Sequence, residues 1–378
     1  MKRNTIHLFV LMLFLAACAG VQNSTTPSTE TSKNISYIEL VNRLTDLRSL
    51  SVLPEAGEKS AIWASYDRKS KVDSTTGDFI NWSANNDGFS PQFIRKEGEN
   101  MVLVEMEGPG AIVRIWSASP DKGHVKIYID GNTTPVIDAP FIDLFSTSSI
   151  PAFNYPGLVY ETAARGFNNY VPISYQHSCK VVAEPGWGQY YQFNYISFPA
   201  GTNIGKFESA PSEENAQALS TVNNFFENQL GQLPYTIENT EKRFIRGTIA
   251  AGETKTERID GAKAIVFIKA KVNLANKEKT EEAFRKLVLQ IKWDDEQDAS
   301  VWSPVGDFFG SAPGYNIYRT LPMGMTEDHM YSYWYMPFSK SATFTLTNHL
   351  NEPLDVDFTV GLENLSTNVD DYGRFHAK

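Results

Sequence analysis

The chain has 378 residues, 42% hydrophobic and 12% aromatic, with 34 Lys and Arg against 44 Asp and Glu. That is too long for one ordinary domain and carries enough apolar material for two cores. A formal charge of −10 with no basic stripe repels phosphate backbones, which excludes nucleic acid as a partner.

Residues 1–17 read as an export signal. Lys2 and Arg3 precede an apolar run from Ile6 to Ala17 that is too short to span a bilayer. The run ends Leu15-Ala16-Ala17-Cys18, which resembles the lipobox of bacterial lipoproteins. That resemblance implies that Cys18 is acylated, becomes the mature N-terminus, and anchors an exported protein on the periplasmic or cell-surface face of a membrane. Residues 18–34, rich in Ser and Thr, then form a flexible tether. Acylation leaves Cys179 as the only thiol, so no intramolecular disulfide is expected. Beside Val181 and Val182, and despite His177 and Lys180 nearby, Cys179 reads as a small buried hydrophobe, not a nucleophile.

Residues 35–60 follow as a helical segment. Ser36-Tyr-Ile-Glu39 is a capping box with an Ile35/Leu40 staple, and Leu40, Val41, Leu44 and Leu47 share one helical face, expected to pack on the first domain. Residues 61–207 and 251–378 then carry an internal repeat. The first copy runs Gly108-Pro-Gly-Ala-Ile-Val-Arg-Ile-Trp116, His124 to Asp130, Pro140-Phe-Ile-Asp-Leu-Phe145 and Tyr175 to Val182. The second runs Gly261 to Ile268, Lys286 to Trp293, Pro304-Val-Gly-Asp-Phe-Phe309 and Phe338 to Thr345. Block order and spacing both persist, with 304 − 140 = 164 and 338 − 175 = 163, which marks a duplicated domain.

Period-two alternation dominates both copies. Val125, Ile127 and Ile129 alternate with Lys126, Tyr128 and Asp130; Leu287, Leu289, Ile291 and Trp293 do the same, as do Ala342, Phe344 and Leu346. Such runs predict antiparallel strands with one face in a core, hence two β-sandwiches in tandem. Residues 208–250 are a linker with the second helix: Glu213 and Glu214 favour its start, Leu219, Val222, Phe226 and Leu230 make its stripe, and Gly231 ends it before Pro234.

Searches for other chemistry return little. The histidines, His7, His124, His177, His329, His349 and His376, contain no pair at metal-ligand spacing, and no nucleophile elbow or phosphate loop occurs. Gly108-Pro-Gly110 sits among strands and reads as a turn. Ser83-Ala-Asn-Asn-Asp87-Gly88 is part of a calcium loop, but Ile94 stands where the bidentate Glu is needed. No metal and no cofactor are expected. Asp143 and Asp307 occupy equivalent places in the two copies and are expected to make fold-keeping hydrogen bonds. Glu327 and Asp328, on a loop before the aromatic run Tyr331 to Tyr335, are the weak candidates for glycosidic acids.

Several separated blocks resemble one family. Ser65-Tyr-Asp-Arg68, Asn85-Asn-Asp87-Gly-Phe89, Glu107 to Gly110, Arg114-Ile-Trp116, Trp293-Asp-Asp-Glu296, Pro304 to Gly310, Met336 to Ala342 and Tyr372 to Lys378 are similar to glycoside hydrolase family 172, once called domain of unknown function 2961. The resemblance spans roughly residues 40 to 378. It implies an all-β fold of tandem jelly rolls like those of viral capsid proteins, trimer-based homo-oligomers, and action on α-D-fructofuranosides or α-D-arabinofuranosides. The family's catalytic glutamates belong to a later region with Gly-Thr-Gly-x-Glu-Asp-Tyr and Arg-Trp-His-Ile-Pro-Asp stretches, neither of which occurs here. The chain is therefore expected to be the front portion of a longer, three-jelly-roll variant, or a natural truncation, handling a glycan without its own catalytic pair. Tyr66, Asp67, Arg68 and Trp302 are the expected sugar contacts. The competing expectation is a non-catalytic glycan-binding or oligomer-assembly module.

Overall fold

A computed structural model describes residues 33–81, 86–89, 92–237, 240–273, 277–311, 313–365 and 367–378. The export signal, Cys18 and nearly all of the tether lie outside the described residues, as do Ser83 to Asn85 of the calcium-like run.

The first sandwich contains β1 (Lys59–Ala64), β2 (Asn100–Glu107), β3 (Gly110–Ser117), β4 (His124–Ile129), β5 (Ile137–Pro140), β6 (Val159–Glu161), β7 (Phe167–Asn169), β8 (Ile173–Tyr175), β9 (Ser178–Ala183) and β10 (Gln192–Ser197). The second contains β11 (Glu241–Ile249), β12 (Thr254–Asp260), β13 (Lys263–Asn273), β14 (Leu287–Trp293), β15 (Val301–Pro304), β16 (Met323–Met325), β17 (Met330–Ser332), β18 (Met336–Phe338), β19 (Ser341–Asn348) and β20 (Leu354–Asn364).

One sheet of the first sandwich has the order β1-β10-β3-β7-β6, with β8 also on β3, and the sheet facing it has β2-β9-β4-β5. The second sandwich repeats both orders, β11-β20-β13-β17-β16 with β18 on β13, and β12-β19-β14-β15, apart from one extra edge strand in each sandwich, Arg95–Glu97 on β2 and Tyr318–Arg319 on β16. The chain crosses from sheet to sheet as it goes and all these pairings are antiparallel. This is the jelly-roll winding, made twice. The repeat blocks fall on β3/β13, β4/β14, β5/β15 and β8–β9/β18–β19, so the duplication read in the sequence is the duplication of the fold.

Alternation decides which faces meet. Val125, Ile127 and Ile129 are at most 1% exposed, and Leu287, Leu289, Ile291, Trp293, Ala342, Phe344 and Leu346 are fully buried. Each Val, Leu, Ile or Phe among them contributes about 1.5–3 kcal/mol by leaving water. Because the side-chain period is two, a one-residue slip would turn every one of them outward, so register has to be pinned.

A carboxylate pins it in each sandwich. Asp130, in left-handed backbone conformation (φ 58°) at the end of β4, accepts at Oδ1 from the backbone N–H groups of Gln176, His177 and Ser178 at 2.8, 2.6 and 3.4 Å. Asp294 (φ 53°), at the end of β14, accepts in the same way from Ser339, Lys340 and Ser341 at 2.8, 2.6 and 3.2 Å. Each clamp ties one strand's end to the turn that starts its neighbour, β9 or β19. The short side chain of Asp reaches local amides from the left-handed region, which suits it to this place. The expectation for Asp143 and Asp307 is corrected here. Asp143 contributes its backbone carbonyl, to Ser146 N at 3.2 Å, and Asp307 pairs with exposed Arg285 at the surface. These two sit in short helical turns after β5 and β15 and close no strand end.

The helices behave partly as read. α1 (Tyr37–Asn42) has the Ser36/Glu39 capping box, and Tyr37 donates to Pro172 O at 3.0 Å. α2 (Glu213–Asn228) buries Leu219 and Val222 in the first core with Phe226 packed against it, and Gly231 (φ 96°) lets the chain turn away after it. The predicted linker is shorter than expected, because β11 occupies Glu241–Ile249 within it. The segment after α1 does not stay on the first sandwich. Leu47 packs with Tyr331 and Tyr333, Arg48 pairs with Glu363 at 2.5 Å and lies 4.1 Å from the Tyr235 ring centre, and Leu53 N donates to Asp371 O at 2.9 Å. The N-terminal segment thus stitches the two sandwiches together. A third helix, α3 (Thr280–Lys286), precedes β14, where the sequence reading placed no helix.

The Asp294 clamp has a pH signature. Burial raises its carboxyl, but the N–H donors from Lys340, Ser341 and Ser339 outweigh that and hold it below the usual aspartate value of 3.8. A depressed folded value gives stability above the unfolded pKa that is lost as pH falls through the folded one. Thermal melts should show the wild type losing stability below about pH 4. Asp294→Asn should melt lower at neutral pH and lose less on acidification; parallel wild-type and variant curves would remove the clamp from the account.

Candidate functional site

The expected site residues fall in three places that share no cleft. The first is the corner after β1. Ser65 N donates to Tyr191 O at 3.1 Å and Tyr191 N returns to Ser65 Oγ at 3.2 Å, so the chain leaves the sheet rigidly. Gly88, with φ 78°, brings its N–H within 2.6 Å of Ser65 O; a Cβ there would lie 2.1 Å from the Tyr190 ring, which reserves the place for glycine. Asp67 is 3% exposed: its N–H donates to Asp87 Oδ1 at 2.7 Å and its own Oδ1 accepts from Lys69 N at 3.0 Å. It shapes the turn from inside. Arg68 donates to Ala64 O at 3.2 Å and to the Tyr191 hydroxyl at 3.1 Å, and its guanidinium lies 4.8 Å from the centre of the Tyr66 ring. Tyr66 itself is 50% exposed. The corner therefore presents a tyrosine face backed by a fixed cation.

The second place is around Trp302, half exposed on β15 of the other sandwich. It lines a shallow cleft of 440 Å³ with Gln290, Lys292, Gln297, Asp298 and Lys378. Its backbone N–H donates to Ala377 O at 2.8 Å, so the C-terminal tail runs beside the edge strand there. Trp302 and Tyr66 are not brought together.

The third place is a cleft of 650 Å³ in the second sandwich, where Glu327 and Asp328 meet Glu278, Glu281, Lys271, Phe284 and Tyr315. Tyr315 closes it: its hydroxyl donates to Thr326 O at 2.6 Å and its ring lies 6.1 Å from that of Phe284. Sequence reading missed Glu281 and Phe284, and Glu278 in the turn before them, because it missed α3, whose Glu281-Glu282 start and Arg285-Lys286 end are the signal that could have found it. On the same loop, burial and then Lys269 and Lys271 lower the imidazole of His329 below its ordinary value.

This cleft is poorly suited to glycosidic acid chemistry. A general acid must hold its proton near neutrality, which requires burial or a like charge. Glu327 is 67% exposed at its side chain and sits 3.0 Å from Arg319, the opposite condition. Glu327 and Asp328 are also neighbours on one loop, not two walls of a sugar site. Among the described residues no group of His, Cys, Asp or Glu could hold a metal ion. Cys179 is 1% exposed and burial pushes its thiol well above the ordinary range, the environment of an inert core thiol.

Comparison with known families decides what the two sandwiches are. A model described as the GH172 first beta-sandwich domain matches residues 56–215, and one described as GH172 domain-like matches residues 239–358. The chain belongs to glycoside hydrolase family 172. It is thus a carbohydrate-active protein at the family level, and each jelly roll is a family-172 unit. No curated protein matches it. Among solved structures, it is similar to one titled "The Triple Jelly Roll Fold and Turret Assembly in an Archaeal Virus", with 7% identity and a TM-score of 0.21, over 70% of this chain and 55% of that one. The serine protease of Aeromonas sobria matches at 11% identity and a TM-score of 0.19, over 64% of this chain and 36% of that one. The family-172 chain spans about half of the first and about a third of the second. Its jelly-roll assignment rests on strand order.

Proposed function

We propose that this family-172 chain is an exported lipoprotein that holds furanoside glycans, α-D-arabinofuranosides or α-D-fructofuranosides, at the Tyr66–Arg68 corner. The observation that carries this is the exposed Tyr66 ring backed by a guanidinium that Ala64 O and the Tyr191 hydroxyl hold still. A sugar's C–H face stacks on such a ring, and its hydroxyls meet the guanidinium donors. Asp67 positions the pair without touching the ligand. The acyl chain on Cys18 keeps the protein on its membrane, and self-association in trimer-based assemblies multiplies weak sugar contacts into useful avidity.

Within the chain, binding is favoured over turnover, because the acids that share a cleft are exposed and adjacent. The reading in which Glu327 and Asp328 cleave a glycosidic bond draws on the second wall formed by Glu278 and Glu281.

Calorimetric titration of the mature chain, residues 18–378, with an arabinofuranosyl oligosaccharide should give binding that Tyr66→Ala weakens about tenfold. Aryl α-D-arabinofuranoside should not be turned over. Hydrolysis that vanishes in Glu327→Gln or Asp328→Asn would move the activity to the acidic cleft.

Labelled palmitate fed to expressing bacteria should enter the wild type and not Cys18→Ser. Equal labelling of both would dispose of the anchor.

A further inference from the structure

We infer that the outer face of the β1-β10-β3-β7-β6 sheet is a docking platform for an acidic sugar unit, with Arg114 as its anion-binding group. The inference rests on the glycan reading above and adds a place and a charge.

Strand alternation builds the platform. Ile115 of β3 is fully buried, so Arg114 and Trp116 on either side of it face outward. Arg114 stands opposite Asn194 of β10, which stands opposite Ile62 of β1. Trp116 stands opposite Gln192 of β10 and Asn168 of β7, and Tyr160 of β6 stands opposite Asn168. Three amides, a guanidinium and an indole thus form one continuous row. Tyr160 and Tyr170 stack at 6.2 Å and 24° at its end, and Tyr170 also lies 5.8 Å from the Arg114 guanidinium.

The charge on this row is uncompensated. Arg114 Nη1 donates to Gln192 Oε1 at 3.0 Å and to Asn194 Oδ1 at 3.4 Å, and Nη2 donates to Asn168 Oδ1 at 3.2 Å. Every acceptor is a neutral amide. Nε is shielded from solvent and has no hydrogen-bond partner, and Arg114 makes no ion pair among the described residues. Two other partly buried arginines differ: Arg48, at the seam between the sandwiches, has Glu363 at 2.5 Å, and Arg43 has Glu58 at 3.2 Å. A partly buried cation is ordinarily paired, since amides satisfy its donors but not its charge. A guanidinium offers five N–H donors; three are used here and Nε is shielded, so one Nη2 N–H remains for an anionic acceptor. A uronate carboxylate supplies that acceptor. Its ring has the Trp116 and tyrosine faces to lie on, and its hydroxyls have the amides. A neutral furanose would leave the charge as it is.

The test compares tri-galacturonate with its carboxyl-reduced trisaccharide, titrated into the mature chain. The acidic sugar should bind at least about tenfold tighter. Arg114→Gln should abolish that preference. Gln192→Glu, which places a carboxylate beside the same guanidinium and leaves the arginine present, should also abolish it while raising the melting temperature. This second variant keeps the test sound if Arg114→Gln folds poorly. Equal binding of the two trisaccharides by the wild type, or a preference that survives Gln192→Glu, would overturn the assignment. Arabinofuranosyl binding measured in parallel separates the two levels. If it persists without an acid preference, only the platform falls; if no glycan of either kind binds, the glycan reading falls with it.

Discussion

Two carboxylates in left-handed backbone, Asp130 and Asp294, each gathering three backbone N–H groups, are the constraint on which this architecture turns. A jelly roll has few local contacts: β9 must find β2 and β4, and β10 must find β1 and β3, across long stretches of chain. Loop-closure entropy opposes such pairings, and hydrophobic burial rewards them only in the right register. A clamp where one strand ends and its neighbour begins fixes the register of the whole apolar face. Its recurrence at the same place in both copies is what inheritance from one ancestral sandwich would leave.

Much of this was legible in the chain. The repeat blocks mapped onto equivalent strands because hydrophobic alternation and turn residues are local, and Val125, Ile127 and Ile129 were buried as their spacing required. The Ser36/Glu39 box was legible for the same reason. What escaped was tertiary. Asp130 read as the outward end of an alternating strand and Asp294 as part of a family-like block, since a bond from a side chain to amides some 46 positions onward leaves no periodic trace. Equivalence across copies pointed instead to Asp143 and Asp307, whose places in the repeat are conserved in position but not in contact. α3 escaped because its seven residues run straight into a strand pattern. The N-terminal segment's second attachment escaped because Leu47 continues α1's stripe yet packs with Tyr331 and Tyr333 of the other sandwich.

The candidate site shows the same division. The Ser65-Tyr-Asp-Arg68 block was visible as a motif, but only coordinates separate its roles: Tyr66 outward, Arg68 braced, Asp67 turned inward. Trp302 and the Glu327 loop, reasonable partners on composition, lie on the other sandwich in clefts of their own. The corner and the Arg114 row belong to one sheet, since Ala64, whose carbonyl holds Arg68, stands opposite Gln192, which holds Arg114. The proposed glycan contacts therefore lie on the first sandwich, and the second contributes the seam that fixes the N-terminal segment.

The most direct measurement is a crystal structure of the mature chain grown with an arabinofuranosyl oligosaccharide. The account predicts sugar density with a ring face on Tyr66 and a hydroxyl within hydrogen-bonding distance of Arg68. Density confined to the acidic cleft beside Glu327 and Tyr315, with the Tyr66 corner empty, would contradict it.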